Sequence, residues 1–170
     1  MSKKWTGIIR TITIALFAVS LVIMVLTAVH LGANWSTLTH KIPRAYSFWG
    51  VPDLNFALYA DRRPLLSRLI LGGVLGVILA ALAIYPNAWN VRATDIPEAA
   101  KDDVTSVVRL ILGIFEFSSC VYFATFIEAG IRGGRRWAPI NLLLVILMLA
   151  AVIGGGILIG RILRKHEEEE

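Results

Sequence analysis

Four apolar stretches divide the chain, at about 7–31, 65–85, 104–129 and 140–160, and segments carrying charge, proline and glycine separate them. An α-helix rises 1.5 Å per residue and the hydrocarbon core of a bilayer is roughly 30 Å thick, so about 20 apolar residues cross it. Each stretch meets that length. In the first, no formally charged residue follows Arg10 until Lys41. The pattern predicts an all-α integral membrane protein, a four-transmembrane-helix bundle forming one domain over 1–170. A first loop falls at 32–64 and a charged C-terminal tail at 161–170. The opening stretch is longer than the apolar part of a secretory signal, and no small-x-small site is clear near its end, so it reads as a retained helix.

The ends of the stretches carry matching signals. Trp5, Trp35, Trp89 and Trp137 fall at their edges and Trp49 in the first loop, where an indole can keep its ring sheltered and its N–H wet. Pro64 and Pro139 suit first-turn positions, which need no backbone N–H. Asp102 and Asp103 are expected to cap the third helix, with charge of the favourable sign at its N-terminus. Pro86-Asn87 should stop the second helix, and Gly130 with Gly133-Gly134 should part the third from the fourth.

Composition agrees with a lipid environment: 56% of residues are hydrophobic and 17% charged, against about 25% charged in an ordinary soluble domain. The net charge of +5 does not point to nucleic acid, because the basic residues gather at helix ends, where they meet phosphate headgroups. The bilayer itself is the first partner implied. With four spans, both termini share a side with the middle loop. That side carries nine Lys and Arg residues and the other eight, too even a split to orient the chain by itself. Lys3, Lys4 and Arg10 around the first helix favour cytoplasmic termini.

Chemistry is sparse. Cys120 is the one cysteine, so the chain has no internal disulfide and no CxxC pair. His30, His40 and His166 lie outside the second, third and fourth stretches, which leaves no axial pair for a haem deep in the bundle. Phosphate-loop, zinc-protease and nucleophile-elbow motifs are missing. The expectation is a non-enzymatic protein with no cofactor and no metal.

Glu116 is the sharpest feature, the thirteenth of the 26 residues in 104–129 and therefore near mid-bilayer depth. An ionisable group there costs a few kcal/mol and marks a functional site or a buried pair. Gly113, Ser119 and Cys120 share its face, and Arg109 and Asp102 recur at steps of seven toward one end. Glu116, Arg109 and Ser119 form the candidate polar site. One reading is a neutral acid hydrogen-bonded to a neighbouring helix; the other is a carrier of protons or cations.

Small residues mark the candidate packing faces. Thr6, Thr13, Ser20 and Thr27 recur every seven residues, which keeps them on one side of a helix in left-handed packing. Gly72 and Gly76 form a ridge on the second helix, and Gly156 and Gly160 one on the fourth. The first loop holds six aromatic residues, with a short helix expected after Pro52-Asp53, and reads as a lid on the bundle or a docking surface.

Four spans with a longer first loop resemble the layout of claudin-like and MARVEL-type tetraspan proteins. The loop lacks the cysteine pair of claudins, and no family is assigned. The membrane glutamate resembles that of small multidrug-resistance transporters, whose glutamate lies in the first helix. The function expected is a membrane scaffold or accessory subunit acting through lateral helix contacts with itself or another subunit. The alternative is a small proton- or cation-coupled transporter or channel using Glu116.

Overall fold

The computed structural model describes residues 3–38, 42–43, 45–47, 49–52, 62–85, 96–134 and 138–167. Four helices account for most of them: α1 (Lys3–Asn34), α2 (Arg63–Ile84), α3 (Glu98–Arg132) and α4 (Ala138–Glu167). All four are long and apolar enough to cross a membrane. The remaining described structure is turns and irregular segments, with an isolated antiparallel bridge between Tyr46 and Pro52.

The helices outrun the apolar stretches, and the reasons are local. Pro97 precedes Glu98, whose acidic side chain opens the first turn of α3 and pairs with Lys101. Asp102 and Asp103 are therefore not caps; they fall inside the helix, a turn beyond its start. At the other end of α3, Gly133 adopts the left-handed conformation (φ 64°) that ends helices, and Gly130 remains helical. Helix α4 continues to Glu167 with Arg164, Lys165 and His166 in its last turn, the sign its dipole favours. Much of the expected tail is thus helical. Pro64 and Pro139 fall in first turns, as their chemistry requires. The short helix expected after Pro52-Asp53 lies outside the described residues.

Helix α3 is the hub. It packs against each of the other three, whereas α1 and α2 meet only lightly and α4 packs chiefly on α3. Of the most apolar window of each helix, 39% is buried inside the fold for α3 and only 6% for α4. Leu31, Leu65, Phe126 and Ile127 form a buried cluster where α1, α2 and α3 meet, joined by Leu38 and Ile42 of the first loop. Tyr46 packs edge-on to Phe126 with 5.1 Å between ring centroids. Arg62 stacks over Trp35 and donates to the Leu38 carbonyl (3.3 Å). Trp35, Leu38, Ile42 and Tyr46 thus pack onto this end of the bundle, while Trp49 and Val51 are exposed. At the opposite end, Ala100, Val104 and Val107 of α3 pack against Ile162 of α4.

Close approach depends on particular glycines. A methyl group at Gly130 would meet Leu65 at 2.4 Å, and one at Gly155 would meet Ile111 at 2.5 Å. Gly156 and Gly160, the expected ridge of α4, have no neighbour within 4 Å of such a methyl. The contact face of α4 is centred on Gly155 instead, which lies about 100° around the helix from Gly156.

Two outcomes follow. Gly155→Ala is expected to cost about 1–3 kcal/mol through overpacking against Ile111, while Gly156→Ala is neutral or raises stability by up to about 1 kcal/mol, read as detergent melting temperature. Leu149 on α4 is 55% exposed in the folded chain. If lipid covers it, Leu149→Cys in a Cys120→Ser background resists a water-soluble maleimide in membranes, while Thr37→Cys beyond α1 reacts. Ready labelling at 149 would show that water covers α4.

Candidate functional site

The site is built on α3. Glu116 is 7% exposed, and its Oε2 has no hydrogen-bond partner among the described residues. One turn before it, Gly113 lets α1 come close: a methyl there would lie 3.5 Å from Leu16 and Phe17. One turn after it, Cys120 is buried, as is Ser20 of α1. Across from it, a methyl at Gly76 of α2 would lie 3.4 Å from Glu116 Oε1, so the glycine leaves room for the carboxyl.

Glu116, Cys120, Ser20 and Gly76 line a cleft of about 710 Å³ between α1 and α2, with α3 as its floor. The walls are apolar or small, chiefly Phe17, Gly72, Gly73, Gly76 and Ala80. Its rim residues Ile14, Leu21 and Val77 are 61%, 65% and 70% exposed, so the cleft opens sideways. That side is the apolar surface a bilayer would cover. One end is tight: a methyl at Gly72 would come within 2.9 Å of both Met24 and Phe123. The other end carries Arg10 and Arg109. Arg109 Nε donates to the Ala83 carbonyl (2.8 Å), one of the last carbonyls of α2, which have no partner within their own helix. A cation there also suits the negative end of the α2 dipole.

The hydroxyls of the α1 stripe satisfy themselves first. Thr13, Ser20 and Thr27 donate to the carbonyls four residues back, of Ile9, Leu16 and Ile23, at 2.9, 2.8 and 2.7 Å. Thr6 instead reaches across to Asp103 of α3 (2.8 Å). This bond, with the close approach of Leu16 to Gly113, shows that α1 and α3 run in the same direction.

Of the residues singled out from the sequence, Glu116, Arg109, Thr13, Ser20, Gly72 and Gly76 line this one cleft. Ser119, Thr27, Gly156 and Gly160 are not among its lining residues. The charged line drawn through Asp102 is broken, because Asp102 is exposed and Asp103 is the acid that faces inward. Arg10 and Cys120 join the lining without having been singled out for the site. Their signal was available in part: Cys120 is one turn from Glu116, and Arg10 is the charge that interrupts the first apolar stretch. Glu128, at the far end of α3, pairs with Arg132 and with His30 of α1 (3.2 Å). Among the described residues, no three His, Cys, Asp or Glu side chains gather closely enough to hold a metal ion. No known protein family, curated protein or solved structure gives a significant match to the chain.

A buried acid without a partner destabilises its host. In the isolated chain, Glu116→Leu is expected to hold or raise stability by about 1–3 kcal/mol, and Glu116→Gln to leave it near the wild-type value. Thermal unfolding in detergent measures both. A clear loss for the leucine variant would mean that the carboxyl ties two helices together.

Proposed function

We propose that the chain is an integral membrane, non-enzymatic accessory subunit that works through lateral helix contacts in the bilayer, with its termini cytoplasmic. One observation carries this reading: a sideways-opening cleft with small and apolar walls, and on its floor an unpartnered, buried carboxyl. Small residues let a further helix approach closely, and a polar group in hydrocarbon is best satisfied by such a helix.

The same carboxyl favours a second reading, a proton or cation carrier at Glu116. Carriage needs a route to both aqueous faces. Beyond the tight contact at Met24, Gly72 and Phe123, the buried cluster of Leu31, Leu65, Phe126 and Ile127 fills the space between the same three helices. The polar groups are thus on one side of an apolar plug, which supports the subunit reading.

Vesicles reconstituted with the full chain separate the two. No proton or monovalent-cation flux above protein-free vesicles is expected for wild type or for Glu116→Gln. A wild-type flux that disappears in Glu116→Gln would overturn the subunit reading in favour of transport.

A further inference from the structure

Resting on the subunit reading, we propose that the α1–α2 cleft receives a transmembrane helix of a different protein, one with a basic side chain at mid-span that pairs with Glu116. The depth of the carboxyl excludes the simplest occupant. Glu116 lies near the middle of α3, two turns from Arg109 at the end of α2. A phospholipid in the bilayer keeps its headgroup at the boundary and offers only hydrocarbon at that depth, so it brings no donor to the carboxyl.

A second copy of the chain does not fit either. Its four apolar stretches hold no Lys or Arg at Glu116's depth; Arg10, Arg68, Arg109, Arg132 and Arg161 all fall toward helix ends. The cation must come from another chain. The cleft has the form for a helix: from Met24 to Arg10 along α1 it runs about 21 Å, parallel to the helix axes. Gly73, on its wall, has nothing within 4 Å of an added methyl, so the backbone of α2 is open to close approach there.

The two arginines add a second demand. Arg10 and Arg109 line the end away from Met24, about seven to nine residues along the axis from Glu116. A helix matching both features carries Lys or Arg at its centre and Asp or Glu some seven residues toward that end.

Designed leucine–alanine transmembrane peptides test this with the full-length chain in phosphatidylcholine vesicles. Val77→Cys in a Cys120→Ser background is labelled with bimane in detergent, reconstituted, and titrated with peptides bearing one Trp a turn from their centre. Contact quenches the dye. A central Lys is expected to raise apparent affinity about tenfold over a central Leu, and Glu116→Gln to bring the two within about twofold. Adding Glu seven residues from the Lys should tighten binding further, and Arg109→Gln should remove that increment.

Equal binding of Lys and Leu peptides, or no binding of either, overturns the proposal. So does tighter quenching-competition by dodecylamine than by the Lys peptide, which would assign the cleft to small amphipathic amines. Self-association that occupies the cleft, seen as bimane emission that varies with protein-to-lipid ratio without peptide, also overturns it. Each of these leaves the flux experiment unchanged, so failure here is distinct from failure of the subunit reading.

Discussion

Everything in this bundle depends on how closely other helices can approach α3. If the four helices lie in a bilayer, apolar side chains gain nothing by leaving lipid for protein, so association rests on packing and on polar contacts. The structure meets that constraint with small residues at the crossings. Gly113 admits Leu16 and Phe17 of α1, Gly130 admits Leu65 of α2, and Gly155 of α4 admits Ile111. Polar contacts add to these interfaces: Thr6–Asp103 and His30–Glu128 join α1 to α3, and Arg109–Ala83 joins α2 to α3. Helix α4 leans on apolar contacts with α3.

The same arrangement leaves the cleft. Because α1 and α2 are each held to α3 and only lightly to one another, they converge at Met24 and Gly72 and part toward Arg10 and Ala83. Glu116 occupies the floor of that opening. Its neighbours give it space, and its Oε2 has no hydrogen-bond partner among the described residues, an arrangement that works against stability.

Hydropathy made the spans readable, since twenty or so apolar residues have one stable form in lipid. The faces were harder to read. A helix apolar all round carries no amphipathic signal to separate its lipid side from its packed side. The glycine run of α4 therefore offered Gly156 and Gly160 as plausibly as Gly155, and only the fold selects the last. Seven-residue spacing did place Thr13 and Ser20 on one buried face of α1. The same spacing tied Asp102 to Arg109, but the helix begins at Glu98 and presents Asp103 inward. Glu116 stood out because charge is rare at that depth, although its lack of an internal partner is a property of the fold alone.

The parallel pairing of α1 with α3 bears on how the chain matures. Its defining hydrogen bond, Thr6 to Asp103, joins residues 97 positions apart. Contacts so distant in sequence form late, after the chain between them has been made. Helices α1 and α2 touch each other far less than each touches α3. Most of the packing of α1 and α2 is instead with α3, the helix that also carries the buried acid. The contacts that place α1 and α2 are thus made mainly with a helix that comes later in the chain than either.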